Sequence, residues 1–215
     1  MYKKKPFFIV FEGIEGCGKS FQCKKLYKKL KKNKIDTILT REPGGTKSSE
    51  LIRNLILKDY FSKKKKEKFD KYTDTLLYLA ARNEHVKNKI KPALLKKKTI
   101  ICDRFTDSTI AYQVYGKKVD FKFINNIHKK ILSGIKPNIV FILKVSKNSS
   151  KKRLKKRKTK NRYDNFAQSF YTKAQNSFLK LAKNRKNYFV LNSSKNDNHL
   201  EKKIFDIVNS HLKIK

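Results

Sequence analysis

The sequence predicts an α/β fold in which a parallel sheet of five strands is covered by helices on both faces. Three observations predict it. Short apolar runs recur along the chain, segments with helical spacing of leucine and isoleucine separate them, and a glycine-rich turn joins the first run to the first helix. With 215 residues and neither an internal repeat nor a linker, the chain is predicted to form one domain over residues 1–215.

The predicted strands are bulky, largely β-branched or aromatic runs, as is typical of strands buried on both faces. They lie at residues 7–11, 37–39, 99–102, 139–143 and 188–191. The first predicted helix follows the glycine turn, with Leu26 and Leu30 at helical spacing. Further helices are predicted around residues 51–56, 69–95, 124–132, 170–181 and 200–208. Pro92 is predicted to kink or end the third helix, and Gly134 to end the fourth.

The formal net charge of +39 is extreme, because 56 lysines and arginines face only 17 acidic residues. The lysines are spread along the whole chain, which is also rich in Asn, Ile, Phe and Tyr and has no Trp. This pattern favours compositional drift of the coding sequence over a nucleic-acid surface, although a non-enzymatic nucleic-acid binder stays open as an alternative.

Cysteine and histidine usage indicates a reducing cytoplasm and gives no metal-ligand spacing. Cys17, Cys23 and Cys102 form no C-x-x-C pair, and the four histidines are scattered. The apolar run at the N-terminus has five residues, too few for a signal-peptide core or a membrane span.

The turn after the first strand fits the pattern G-x-x-x-x-G-K-[ST], with the residues Gly13, Ile14, Glu15, Gly16, Cys17, Gly18, Lys19 and Ser20. A strand before it and a helix after it are the setting of a phosphate-binding loop. Backbone N–H groups and the helix N-terminus would hold phosphate oxygens, Lys19 would bridge the β- and γ-phosphates, and Ser20 would hold Mg²⁺. The sequence therefore predicts binding of a nucleoside triphosphate.

A guanine-reading motif of a GTPase, N-K-x-D, is matched in letters by residues 33–36. The match lies at the end of the first helix and before a strand, whereas a base-reading loop follows a late strand. A turn that ends the helix explains the same residues.

Arg53, Arg82 and Arg104 stand out in a chain that otherwise uses mostly lysine. The planar guanidinium suits phosphates and base edges, so arginine at these positions indicates a geometric requirement. Asp103 and Arg104 follow a buried strand directly, at the sheet edge where ligands of open α/β sheets bind. Asp103 is predicted to organise Mg²⁺ or its waters, and Arg104 to hold a second phosphate.

Four segments resemble the thymidylate kinase family in order and spacing. They are Phe11–Ser20, Thr40–Thr46 (T-R-E-P-G-G-T), Ala81–His85, and Asp103–Phe105 with Ala111–Gln113. The resemblance implies a three-layer P-loop kinase fold with a short basic lid at about residues 147–165. It also implies transfer of the γ-phosphoryl group of ATP to dTMP, giving dTDP in dTTP synthesis, with Mg²⁺ as cofactor and a homodimer as the assembly.

The resemblance also assigns a dTMP site. Arg53 and Arg104 would hold the dTMP phosphate. Arg82 and Gln113 would hydrogen-bond to the thymine edge, with Tyr78 stacked on the ring.

Four further positions complete the implied site. Ser108 and Thr109 would line the base pocket, and Tyr112 would crowd the sugar 2′ position. Glu15 would lie near the acceptor sugar hydroxyl and the magnesium waters. For Tyr78 and Tyr112, a role as core aromatics stays open.

The cation that stabilises the transition state is expected from the lid, because Gly16 stands where some family members carry an arginine. Residues 161–164 (N-R-Y-D) resemble the family's D-R-x-E, so Arg162 is the candidate and joins Lys19, Glu15 and Arg104 as a predicted catalytic residue. Arg153 and Arg157 lie in the same basic run, where a solvated surface role stays open.

Some positions depart from the family pattern. Phe21 replaces a small hydroxyl residue after Ser20, and Lys117 and Lys118 replace an Arg-Gly pair. A kinase for another nucleotide or for a nucleoside is the nearest alternative function, but a nucleoside kinase would have no use for Arg53 and Arg104.

Overall fold

The computed structural model describes residues 5–58, 69–157, 167–195 and 197–213. Within these residues, five parallel strands form one sheet in the order β2-β3-β1-β4-β5. The strands are β1 (Phe7–Glu12), β2 (Thr37–Arg41), β3 (Thr99–Asp103), β4 (Ile139–Lys144) and β5 (Tyr188–Asn192). Each contains one predicted run and extends at most two residues beyond it, so the predicted five-stranded parallel sheet is confirmed.

Helices flank the sheet. They are α1 (Lys19–Lys32), α2 (Lys47–Leu57), α3 (Lys71–His85), α4 (Lys91–Leu95), α5 (Thr106–Thr109), α6 (Phe121–Leu132), α7 (Lys147–Lys155), α8 (Gln168–Ala182) and α9 (Asn198–Leu212). None of these helices combines the length and apolar character that crossing a membrane requires.

The predicted kink near Pro92 takes the form of a π-helical segment, Val86–Ile90, that joins α3 to α4. Proline has no N–H to donate, and its ring crowds the carbonyl four residues earlier. Just before it, the N–H of Lys91 donates to the carbonyl of Val86, five residues back. The helical turn before Pro92 therefore contains one extra residue, and the helix continues through Pro92 instead of ending there.

The end of α1 confirms that residues 33–36 form a helix-ending turn. Lys34 has φ 56°, the N–H of Ile35 donates to the carbonyl of Leu30, and that of Lys34 donates to Lys31. These two bonds and a left-handed residue are the Schellman arrangement that closes a helix. Because Leu30 and Ile35 are both buried, apolar packing holds the turn in place.

The centre of the core is β1, which is buried along its whole length between β3 and β4. Beyond the strand ends, Arg104 N–H donates to Phe11 O (2.9 Å) and Glu42 N–H donates to Asp103 O (2.9 Å). These bonds hold the segments after β2 and β3 together at the carboxyl edge of the sheet, beside the glycine loop that follows β1.

Two helical regions lie where no helix is predicted from the sequence. One is α5, which continues into a second π-helical segment, Ile110–Gly116. The other is α7, in the basic run assigned to the lid; it begins after Ser146, whose hydroxyl accepts from the N–H of Ser149. Neither has the regular apolar spacing on which the sequence prediction depends.

Candidate active site

The loop between β1 and α1 is packed so closely that its glycines are required. Gly13 has φ 140° and Gly16 has φ 72°. A Cβ on Gly13 would lie 2.7 Å from the carbonyl oxygen of Leu143, and one on Gly16 would lie 2.8 Å from that of Ser150. The loop is thus wedged between the end of β4 and helix α7.

Lys19 and Ser20 begin α1 at the inner end of this loop. The Lys19 Nζ donates to the carbonyls of Gly13 (2.9 Å) and Ile14 (2.8 Å). The Ser20 hydroxyl donates to the Asp103 carboxylate at the end of β3. The structure therefore places the two predicted magnesium ligands in direct contact, next to the lysine.

A cleft of about 590 Å³ opens at the carboxyl edge of the sheet. Its lining includes most of the predicted site residues, namely Glu15, Gly16, Gly18, Lys19, Ser20, Arg53, Tyr78, Arg82, Asp103, Arg104, Ser108, Thr109, Tyr112 and Gln113. Gly13, Ile14 and Cys17 are not in the lining; their carbonyl or sulfur atoms contact Lys19 from beneath. Arg162 lies outside the described residues. One cleft thus contains both the phosphate loop and the predicted acceptor residues, whose individual roles stay predictions.

Arg104 and Glu15 form an ion pair that joins the phosphate loop to the segment after β3. Arg104 Nη2 donates to Glu15 (2.7 Å), and its Nη1 donates to Gly13 O (2.9 Å) and Ser108 (3.0 Å). Tyr112 donates its hydroxyl to the other Glu15 oxygen (2.6 Å). Burial alone would raise the pKa of Glu15, but the charges of Arg104 and then Lys19 outweigh it and hold that pKa below its usual value. Glu15 is therefore an ionised group with both oxygens engaged.

Arg82 lies in the wall of the cleft and is only 3% exposed. Its Nε donates to Glu42 (2.7 Å), and its Nη2 donates to the carbonyl of Phe105 (2.9 Å). Its Nη1 donates to the hydroxyl of Thr109 (2.7 Å) and to Nε2 of His128 (2.7 Å). Four of the five guanidinium N–H groups thus have partners within the protein.

Gln113 lies beside Arg82 in the cleft lining. It is 1% exposed, and its amide nitrogen is buried with no hydrogen-bond partner among the described residues. Because buried donors in proteins are almost always paired, this amide marks a position where a ligand acceptor fits.

The mouth of the cleft has an excess of positive charge. Arg53 Nη1 donates to the carbonyl of Pro43 (2.6 Å), which follows a cis peptide bond after Glu42. Burial and then the neighbouring Arg41 lower the pKa of Arg53, and Glu50 is paired with Arg41 at 3.1 Å. Glu50 also lies 4.0 Å from Arg53 Nε, so the two arginines share one carboxylate, and the positive charge that remains favours an anionic phosphate.

Helix α7 packs directly on the phosphate loop. The Ser150 hydroxyl donates to Glu15 O (2.8 Å), and Arg153 donates to Gly16 O (3.1 Å). The second Nη of Arg153 donates to the carbonyls of Ser193 (2.8 Å) and Ser194 (2.6 Å). A solvated surface role for Arg153 is therefore wrong. Arg157 lies in the cleft lining.

The loop after Gln113 keeps a defined shape despite its departure from the family pattern. Lys117 Nζ lies 2.6 Å from the buried carboxylate of Asp74 on α3, and Lys71 Nζ donates to the carbonyl of Lys118 (3.0 Å). Lys118 has φ 59°, a conformation that favours the glycine expected there. Phe21, the other departure, is 44% exposed and lines the cleft.

Three buried polar residues support the site without having been assigned a role from the sequence. Glu12 accepts from the N–H groups of Phe105 (2.8 Å) and Ser108 (3.1 Å), and so caps α5 from the end of β1. Glu42 and His128 hold Arg82. The sequence carries one signal that could have identified two of them, namely an ionisable residue within a buried apolar pattern. Glu12 ends the apolar run of β1, and His128 follows Ile124 by four residues, on the same side of a helix.

The strand order and the glycine loop, with arginines facing it across the cleft, define a P-loop kinase. The model of the family described as thymidylate kinase matches residues 11–204. The thymidylate kinase of Wolbachia pipientis subsp. Culex pipiens is 40% identical over 212 residues, covering 96% of this chain and 97% of its own length. That of Pelotomaculum thermopropionicum is 36% identical over 190 residues, covering 87% and 86%.

A solved structure gives the same result. The crystal structure of thymidylate kinase from Ehrlichia chaffeensis superimposes with a TM-score of 0.73 at 32% sequence identity, covering 95% of this chain and 99% of that one. The chain belongs to the thymidylate kinase family, as the resemblance predicted.

Proposed function

We propose that the protein transfers the γ-phosphoryl group of ATP to the phosphate of dTMP, giving dTDP in the supply of dTTP, and that residues 1–215 act as one kinase domain. The observation that carries the proposal is the shared cleft, in which a phosphate loop faces a second set of arginines and a buried amide donor that has no acceptor among the described residues. A nucleoside kinase has no acceptor phosphate, so Arg53 and Arg104 would have no ligand in it.

On the ATP side, backbone N–H groups of residues 13–18 bind phosphate oxygens, and Lys19 leaves the carbonyls of Gly13 and Ile14 for the β- and γ-phosphates. Ser20 and Asp103 fit Mg²⁺, because both present hard oxygen atoms and they already contact each other. Mg²⁺ in such sites takes one or two protein oxygens and completes its shell with phosphates and water. When bound, it neutralises charge on the β- and γ-phosphates.

On the dTMP side, Arg53 and Arg104 hold the acceptor phosphate. Gln113 and the remaining N–H of Arg82 are donors, so they match the carbonyl oxygens of thymine and oppose the 4-amino group of cytosine. Tyr78 stacks on the base.

The sugar and the base edge of dTMP are proposed to contact a further set of residues in the cleft. Ser108 and Thr109 line the base pocket. Tyr112, fixed by its hydrogen bond to Glu15, crowds the 2′ position and favours deoxyribose, while Glu15 would lie near a sugar hydroxyl of dTMP and the waters of Mg²⁺.

The transferring oxygens need a cation that the phosphate loop does not supply at Gly16. Arg162 of the lid is the proposed source, with Arg157, which lines the cleft, as its comparison residue. A planar guanidinium can bridge two of these oxygens as charge develops on them.

Product analysis tests the proposal. Incubation with ATP, Mg²⁺ and dTMP, followed by anion-exchange chromatography, should give ADP and dTDP in equal amounts. Thymidine in place of dTMP should give no product. Phosphorylation of thymidine at a rate similar to that of dTMP would replace this proposal with a nucleoside kinase.

We propose a homodimer formed through α2 and α3. These helices pack on each other and leave Leu51 (69% exposed), Leu55 (43%) and Leu76 (47%) on the surface, a patch that a second copy would cover. Light scattering should give the mass of a dimer, and Leu51→Lys with Leu76→Lys should give a monomer.

We also propose a cytoplasmic location, since Cys17, Cys23 and Cys102 are free thiols. We propose no specific nucleic-acid partner.

A further inference from the structure

Helix α6 contributes no residue to the lining of the cleft, yet one of its side chains contacts the cleft wall. His128 is 6% exposed and lies on the buried side of α6, one turn after Ile124. Its Nε2 is 2.7 Å from Arg82 Nη1. Within the described residues, the contact with Arg82 is the one side-chain hydrogen bond of this buried imidazole, so that contact is the feature to account for.

The direction of this hydrogen bond is fixed by chemistry. A guanidinium keeps all its protons in proteins and has no acceptor, so Arg82 must donate and His128 Nε2 must accept. The imidazole is therefore neutral, with its proton on Nδ1. Its surroundings agree, because burial and then the charge of Arg82 lower the pKa of His128 to about 3.

The orientation of Arg82 depends on four acceptors, which bind all three nitrogen atoms of its guanidinium group. Glu42 holds Nε and the Phe105 carbonyl holds one proton of Nη2, while Thr109 and His128 share the two protons of Nη1. The group is planar, so fixing these four protons fixes the fifth. Without His128, one buried N–H would lose its acceptor, and the plane could rotate to seek another.

We propose that His128 is a positioning residue for base recognition: from outside the cleft it orients Arg82, so that the remaining N–H of Arg82 faces the thymine carbonyl. This proposal rests on the proposed function, in which Arg82 reads the base. His128 itself touches no substrate.

The test compares His128→Leu, which removes the acceptor at similar volume, with His128→Gln, whose amide oxygen can replace Nε2. His128→Leu should raise the KM for dTMP about tenfold, the equivalent of one lost hydrogen bond, and lower the preference for dTMP over dCMP. The kcat and the KM for ATP should stay within twofold. His128→Gln should recover most of the affinity for dTMP.

Two controls separate positioning from general damage to the fold. Ile124→Ala removes a buried side chain from the same helix without touching Arg82, and should lower the melting temperature but leave the KM for dTMP unchanged. In an Arg82→Ala background, His128→Leu should have no further effect on that KM, since the residue through which it acts is gone.

The proposal is overturned if His128→Leu leaves the KM for dTMP and the base preference unchanged, or if its effect persists without Arg82. It is also overturned if Ile124→Ala raises the KM for dTMP as much as His128→Leu does. Absence of dTMP phosphorylation by the unmodified protein would instead contradict the proposed function itself, so the two failures are distinguishable.

Discussion

At the scale of single residues, the carboxyl edge of the sheet is held by side chains that pair across chain segments distant in sequence. Glu15 is tied to Arg104, Ser20 to Asp103, and Arg82 to Glu42. The first two pairs join the region after β1 to the end of β3 and the residue that follows it, and the third joins α3 to the segment after β2. The residues expected to meet the nucleotides are therefore pre-positioned by one another, which lowers the cost of ordering them for reaction.

Lys19→Ala should nearly abolish phosphoryl transfer. The Nζ lies over the loop, 2.9 Å from Gly13 O, where it can reach the β- and γ-phosphates. The expected loss in kcat is roughly 10²–10³-fold or more, comparable to the loss of a preorganised charge-stabilising group. Steady-state kinetics measure it, with circular dichroism to confirm folding. Lys24→Ala, an exposed lysine on the same helix, is the matched control; near-normal turnover by folded Lys19→Ala would refute the assignment.

Glu12 should make stability depend on pH. Burial, and then the neighbouring Asp107, raise the pKa of this carboxyl from 4.5 to about 7. A carboxyl that holds its proton more tightly when folded contributes its stability below the unfolded pKa and loses it as the pH rises through the folded pKa.

Glu12→Gln is always neutral and should lack this dependence. Between pH 5 and pH 8, its free energy of unfolding should therefore gain roughly 2 kcal/mol relative to the unmodified protein. Urea unfolding of both proteins at the two pH values measures the difference, in which the contributions of titrating groups other than the neighbouring Asp107 cancel. A constant difference across this range would show that Glu12 is ionised throughout.

At the scale of elements, α7 lies at the start of the predicted lid and is fastened to the phosphate loop. Ser150 and Arg153 bind carbonyls of that loop, and Arg153 also binds the segment after β5. Arg153 is thereby committed to structural bonds. We therefore expect the cation that stabilises the transition state to come from residues that follow this anchored helix.

Arg162→Ala should therefore lower kcat far more than it raises the KM for dTMP. Arginines in this role contribute roughly 10³–10⁵-fold in kcat, and a lid partly open to water should lie near the low end. Arg162→Lys should rescue only in part, because an ammonium cannot bridge two oxygens. Arg157→Ala is the comparison and should matter less; a crippling Arg157→Ala beside a mild Arg162→Ala would show that the lid register is shifted.

At the scale of the whole molecule, the formal charge of +39 comes from lysines spread along the chain. On α1, for example, the exposed lysines are distributed over most of the helix and include Lys24, Lys25, Lys28, Lys31 and Lys32. Duplex DNA should consequently bind weakly, without sequence preference, and dissociate at moderate salt as counterions compete. Fluorescence anisotropy at several salt concentrations checks this. Tight binding to one defined sequence at physiological ionic strength would support the nucleic-acid alternative.

The sheet could be predicted from the sequence because its strands are buried on both faces and leave continuous apolar runs, such as residues 139–143. The phosphate loop could be predicted because its residues recur at fixed spacing: the glycines allow the backbone to turn, and Lys19 supplies a positive charge. Residues that act through tertiary contacts could not. His128 meets Arg82 across 46 residues of sequence, and Glu12 meets Phe105 across 93.

The central claim is that the protein phosphorylates dTMP because hydrogen-bond donors in this cleft recognise the thymine base. The most direct measurement is kcat/KM for dTMP and for dCMP in a coupled assay of ADP formation, with dUMP, UMP and thymidine alongside. Because a polar site rejects a partner that leaves its buried donors unpaired, dTMP should be preferred by several orders of magnitude, about 10⁴-fold where the match is built from hydrogen bonds. Equal values for dTMP and dCMP would contradict the account.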